Sequence, residues 1–186
     1  MARIPFITET SDLTQEQRRV VDGILGRRGG RIPGPFRFSL HCPAVTEAWH
    51  PLGEVLRLKS GFPLRLSEFA ILMAARGMDC DYVFNAHAPI AIEAGLAQSV
   101  VDALANGKRP ACDKPDEETI HDFCKELAES HRVSDKSYAR AKELFGVPGV
   151  VELTALFGYY TMVSMTILAH EMPLQDGAKY RLARRA

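Results

Sequence analysis

The stretch Leu66–Gly95, LSEFAILMAARGMDCDYVFNAHAPIAIEAG, decides how the chain is read, because it sets a carboxylate, a thiol and an imidazole on two consecutive helices. Cys80 and His87 stand seven residues apart, two helical turns, so they share a face with Val83 or Phe84 between them. Glu68 falls near the start of the preceding helix, which Ser67 caps and which runs to Arg76. The Gly77-Met78-Asp79 break lets that helix fold back onto the next one, which Asp79 caps and Gly95 stops. Glu68, Cys80 and His87 then face one apolar seam, and together they are the groups that proton-transfer chemistry uses.

Working outward, the rest of the chain also reads as helices joined by glycine and proline turns. Thr14 and Gln17 have the capping-box spacing at the start of an amphipathic helix over Thr14–Arg28, with Val20, Val21, Ile24 and Leu25 on one stripe and Gly29-Gly30 as its stop. Arg31–Pro43, RIPGPFRFSLHCP, holds three prolines and reads as an ordered loop or extended arm carrying Phe36, Phe38, His41 and Cys42. Pro43 opens the next helix, through Leu58, with Val45, Trp49, Leu52, Val55 and Leu56 inward. Shorter helices follow at Gln98–Ala105 and from Asp116 to about His131. Ser134 caps another to Phe145, and Gly146-Val147-Pro148-Gly149 turns into a long apolar helix ending near Glu171-Met172-Pro173. No stretch alternates with period two for long enough to be a strand, so the fold class is all-α.

Length and composition bound the function. With 186 residues, 46% of them apolar, the chain suits one domain: a helix and arm over 1–43, a core over about 44–173 and a solvated basic tail over 174–186. Twenty-three basic against twenty-three acidic residues leave no net charge to favour nucleic acid or an anionic membrane, and a near-neutral chain tolerates self-association. The N-terminus MARIPFITETSD has no apolar signal-like segment, so a cytoplasmic location is expected. Cys42, Cys80, Cys112 and Cys124 form no close pair and are expected as free thiols. Leu153–Ala169 approaches membrane-spanning length but carries three Thr, a Ser and two Tyr, which fits a helix buried in the protein or an oligomer. No two histidines have ligand spacing on a helix and no CxxC is present, so no metal is expected. The absence of a glycine-rich phosphate loop after a strand likewise gives no reason to expect a nucleotide cofactor.

The spacing in the opening stretch resembles the active-site signature of the alkylhydroperoxidase D-like proteins of the carboxymuconolactone decarboxylase superfamily: Glu, eleven residues, Cys, two residues, Cys, three residues, His. Here it reads Glu68, Cys80, Val83, His87, with every interval matched and Val83 in place of the second cysteine. The likeness extends over roughly Pro35 to Pro173, including the later helix VVELTALFGYYTMVSM. It implies a helical bundle built around an antiparallel helix pair and an obligate oligomer, often a trimer or hexamer. In the peroxidase branch the second cysteine attacks peroxide, so Val83 removes that disulfide cycle. The branch resembling gamma-carboxymuconolactone decarboxylase needs no cysteine pair. It implies cofactor-free acid/base chemistry on a small carboxylated product of aromatic ring cleavage, as a lyase, isomerase or ester/lactone hydrolase.

On that reading His87 is the general acid or base, since an imidazole exchanges protons near neutral pH, and Glu68 orients it or relays its proton. Cys80 lines the pocket or packs inertly. His41, Tyr82, Tyr160 and Phe36 are candidates to bind substrate, and Arg57 supplies a guanidinium for its carboxylate; His50, Tyr159 and Arg37 stand behind them. Two other readings compete: a one-cysteine thiol peroxidase using Cys80, and an oligomeric binding protein that has lost catalysis.

Overall fold

The N-terminal signals act as the sequence implies. Thr14 and Gln17 close a reciprocal capping box, with Thr14 N–H donating to Gln17 Oε1 at 2.9 Å and Gln17 N–H to Thr14 Oγ1 at 3.2 Å. The helix that follows, α1 (Gln15–Leu25), buries Val20, Val21 and Ile24. The computed structural model describes residues 2–11, 13–25, 32 and 34–184; the expected end of the first helix and the Gly29-Gly30 stop lie outside the described residues.

Among the described residues seven further helices follow: α2 (Phe36–Ser39), α3 (Pro43–Leu58), α4 (Leu64–Gly77), α5 (Asp81–Glu93), α6 (Gln98–Ala105), α7 (Pro115–Ser130) and α8 (Asp135–Ala169). No strand occurs among the described residues. The arm is therefore partly helical, with Phe36 and Phe38 buried in the single turn of α2. Gly146 (φ 67°, ψ 176°) breaks α8 into two limbs at the expected turn, a backbone conformation that glycine adopts without strain.

α4 organises the bundle because its sequence is apolar on every side. All ten residues from Leu66 to Ala75 are buried, and the helix packs against α5, α6, α7 and α8. One continuous core results, with Phe69, Phe84, Ile120, Phe123 and Leu153 fully enclosed. Complete burial of α4 also encloses Glu68, at 1% exposure.

Several local expectations are corrected. Ser67 does not cap α4: the helix begins at Leu64 after Pro63, and the Ser67 hydroxyl bonds back to the Pro63 and Leu64 carbonyls. Asp79 does not cap α5 either. It sits in the left-handed turn (φ 51°) with its carboxylate on Arg76, and Cys80 takes the N-cap position.

On α3 the inward face is Thr46, Trp49, His50, Gly53, Glu54 and Leu56, while Val45, Leu52 and Val55 point outward at roughly half exposure. The periodicity is helical as read, but the side turned inward is the mixed one, because it borders a cavity.

The C-terminal tail is docked, not solvated. Asn85 pairs with the backbone of Tyr180 through both its amide groups, at 2.9 and 2.7 Å. The Tyr180 ring packs edge-on against Phe84, and Leu182 is buried; Arg185 and Ala186 lie outside the described residues.

Candidate active site

A cavity of about 200 Å³ opens between α3, α5 and the apolar limb of α8. Its wall is formed by Gly34, Pro35 and Phe36 from the arm; Trp49, His50, Gly53 and Arg57 from α3; Tyr82, Val83, Ala86 and His87 from α5; Tyr159, Tyr160, Val163 and Ile167 from α8; and Gln175 from the tail. Two glycines admit tyrosines here. A Cβ on Gly34 meets the Tyr82 hydroxyl and one on Gly53 meets the Tyr159 hydroxyl, so each backbone is bare where a phenol lies against it.

Glu68 stands behind this wall. Its Oε2 accepts a hydrogen bond from His87 Nδ1 at 2.6 Å, and its Oε1 lies 3.8 Å from Arg57 Nη2. An ionised carboxylate only accepts, so this contact selects the tautomer with hydrogen on Nδ1, in which a neutral imidazole has its Nε2 lone pair free. The Tyr160 ring meets the imidazole edge-on at 5.0 Å and fixes its plane. Glu68 thus ties together two groups that line the cavity, a proton acceptor and a permanent cation. Trp49 Nε1 and Arg57 Nε are buried without a hydrogen-bond partner, which costs free energy unless an acceptor reaches them. The combination suits an anionic small molecule with a proton to move.

Cys80 is excluded from this arrangement. It is fully buried at the N-cap of α5, beside the Ser164 hydroxyl, and does not line the cavity. Burial pushes its thiol pKa up, and the backbone N–H groups of Val83 and Tyr82 offset this only in part. The residue that does face the cavity is Val83, which holds the attacking-cysteine position in the resembling signature. His41 is likewise elsewhere: its exposed ring bonds the Pro5 carbonyl through Nε2 at 2.8 Å. Arg37 is occupied with the Ile32 carbonyl. Phe36, Arg57, Tyr82, Tyr160 and His87 all line the cavity, as do His50 and Tyr159.

The sequence reading missed Trp49, which it took for core packing, together with Gly53, Glu54 and Gln175. The signal for the α3 residues was available in the polar and small residues at helical spacing among apolar ones, Thr46, His50, Gly53 and Glu54. Gln175 carried none, since nothing in its neighbourhood is periodic. Among the described residues, no group of three His, Cys, Asp or Glu side chains is placed to hold a metal ion.

The sequence matches no family model and no curated protein. Solved structures do resemble it. An alkylhydroperoxidase AhpD core, an uncharacterized peroxidase-related protein from Ralstonia eutropha JMP134, superposes with a TM-score of 0.76 at 19% identity, covering 94% of this chain and 93% of that one. A peroxidase-related protein from Silicibacter sp. TM1040 gives 0.74 at 14% identity, covering 95% of each chain. The debrominase Bmp8, as a cysteine-to-alanine variant in complex with 2,3,4-tribromopyrrole, gives 0.71 at 13% identity, again covering 95% of each chain. Likeness over nearly the whole of each chain, at identities this low, establishes architecture: the chain has the all-helical AhpD-like fold.

Proposed function

We propose that the chain is a cofactor-independent acid/base enzyme acting on a small carboxylated compound of the kind left by aromatic ring cleavage, as a lyase, isomerase or ester/lactone hydrolase. The observation that carries this reading is the buried Glu68, bonded to His87 on one oxygen and paired with Arg57 on the other, behind a cavity that both of them line. His87 Nε2 takes a proton from the substrate, Glu68 stabilises the imidazolium, and Arg57 receives the carboxylate or the developing enolate. A cavity of about 200 Å³ walled by aromatic rings fits a small flat molecule, in keeping with the brominated pyrrole of the debrominase neighbour.

The peroxidase names among the neighbours find no matching equipment here, because Val83 faces the cavity and Cys80 is sealed behind it. The exposed apolar face of α8, with Val151, Met162, Met165 and Leu168, and that of α3, with Val45, Leu52 and Val55, supports self-association into a trimer or hexamer. A cytoplasmic location belongs to the same proposal.

The test is turnover of muconolactones, dienoates and their methyl esters by the parent and by folded Glu68→Gln and His87→Ala variants. Loss of turnover in both variants is expected. Equal turnover in all three proteins, or none in the parent, sinks the reading.

A further inference from the structure

The cavity has a second buried carboxylate and imidazole beside it. On α3, His50 and Glu54 lie one turn apart on the inward face, each 7% exposed, with Nε2 4.0 Å from Oε1. Enclosing two ionisable groups is a poor way to stabilise a helix, since their lost hydration offsets their attraction. Position gives a better account, because His50 lines the same cavity as His87.

The two imidazoles stand at the ends of a continuous run of rings around the wall. His87 meets Tyr160 at 5.0 Å, Tyr160 meets Tyr159 at 5.4 Å, and Tyr159 meets Trp49 at 6.3 Å. Trp49 meets Phe36 at 5.8 Å, and Phe36 meets His50 at 5.4 Å. All six line the cavity, with His87 on α5, His50 on α3 and the tyrosines on α8 between them. A molecule held inside is thus approached by imidazoles from two different helices.

We infer that His50 is a second proton-transfer residue, working with His87 on two carbons of an unsaturated carboxylate or lactone. This rests on the proposed acid/base function and narrows it to relocation of a proton, an isomerisation. His87 Nε2 removes a proton from the carbon next to the carbonyl, and the C–H electron pair moves into the conjugated system as a dienolate. His50, entering the step as an imidazolium, gives its proton to the distal carbon, where the dienolate pair forms the new C–H bond. The product is an isomer of the substrate, so no oxidant or reductant is consumed. His87 then loses its gained proton to water and His50 regains one. Glu54, its Oε1 4.0 Å from His50 Nε2, is the positioning residue.

The experiment follows the beta,gamma-unsaturated isomer of muconolactone, whose ring CH2 lies next to the carbonyl, by proton NMR in D2O with the full chain, reading two rates: deuterium exchange at that CH2, and appearance of the conjugated isomer. In His50→Gln, isomerisation is expected to fall about 100-fold while exchange stays within about threefold, because His87 alone still forms and reprotonates the dienolate. Retained exchange also reports that the variant is folded, and His50→Asn serves as a second variant. His87→Gln abolishes both rates. Glu54→Gln slows isomerisation with exchange intact, and Glu54→Asp restores it. If the two rates fall together or neither changes in His50→Gln, or if the parent's product keeps the substrate's own proton, the second residue is refuted and the acid/base function stands. A parent that neither exchanges nor isomerises any compound of the panel overturns both.

Discussion

Glu68 and His87, nineteen residues apart in sequence, are joined by a 2.6 Å hydrogen bond between Oε2 and Nδ1, with the carboxylate 1% exposed. The second carboxylate oxygen faces Arg57 at 3.8 Å, so removing the charge disturbs two partners at once. Truncation and neutralisation therefore part company. Glu68→Ala leaves a partly exposed guanidinium and a buried imidazole without their anion and should cost ~3 kcal/mol in urea unfolding. Glu68→Gln keeps volume and hydrogen-bonding capacity and should cost less. It nevertheless removes the charge that stabilises an imidazolium, so kcat is expected to fall about 100-fold or more. Comparable kcat in Glu68→Gln and the parent would leave Glu68 a purely structural residue.

Arg57 gives a test of substrate charge. Its side chain lines the cavity with Nε unpartnered, and on the proposed function a substrate carboxylate supplies the acceptor. A charge-assisted hydrogen bond is worth ~1.5–3 kcal/mol, so Arg57→Met should lower kcat/KM for a free acid roughly 10- to 100-fold. The methyl ester of the same compound should be much less affected. An equal loss on acid and ester assigns Arg57 to holding Glu68 in place and not to the substrate.

The thiols separate by burial. Cys42 is exposed, whereas Cys80 and Cys124 are enclosed and burial pushes both their pKa values upward; burial also raises Cys112, to about 11. At pH 8, iodoacetamide followed by peptide mass mapping should label Cys42 in the native protein and reach Cys80 and Cys124 only after unfolding. Peroxide should yield no sulfenate at Cys80, and Cys80→Ala should leave turnover unchanged. A trapped Cys80 sulfenate in the folded protein revives the thiol peroxidase.

What was legible in the sequence follows from how each residue is held. That Glu68 and His87 meet was legible in their spacing and in the signature it resembles, because each occupies a fixed register on a regular helix and α4 and α5 pack together. Cys80 failed by the same logic: it precedes the first turn of α5, where its side chain does not follow the helical face that carries His87. The α3 stripe was read with the correct period, and Trp49 and Leu56 face inward as read, but Val45, Leu52 and Val55 turn outward. Hydrophobic patterning assumes that the core is the most apolar neighbour available, and here the inward neighbour is a cavity lined by polar groups. The docked tail left no periodic trace, since Tyr180 exchanges backbone hydrogen bonds with the Asn85 amide and the Leu182 N–H donates to the Asp81 carboxylate, with no helical face involved.

The outward apolar residues of α8 make their own prediction. Val151, Met162 and Met165 on α8 are 41–63% exposed, with Ala155 and Gly158 exposed between them, and no charged residue interrupts the helix from Leu153 to Ala169. Such a face is expected to be covered by a second copy of the chain. Light scattering on the parent should give a multimer, and Met162→Asp with Met165→Asp should shift it to monomer while far-UV dichroism stays helical. A parent that is monomeric at micromolar concentration removes this interface.

His121, away from the cavity, sets a pH dependence of stability whose sign is fixed by burial. It is 4% exposed on α7 and bonds Asp122 Oδ1 through Nδ1 at 2.9 Å. Burial lowers its pKa from the ordinary 6.5, and the Asp122 hydrogen bond restores only part of the shift. The unfolded chain therefore binds this proton more readily than the folded one, and stability rises with pH across the interval between the two values. The contribution is fully present above pH 6.5 and is lost as pH falls through the folded value. The slope in that window approaches ~1.4 kcal/mol per pH unit for one proton. His121→Gln keeps a neutral polar side chain and takes no proton, so its urea midpoint should change less between pH 7.5 and 5 than the parent's. Asp122 titrates lower still, held below its ordinary 3.8 by Arg109 and His121 despite its partial burial, and does not enter the window. Parallel pH profiles for parent and His121→Gln would assign the acid sensitivity to other groups.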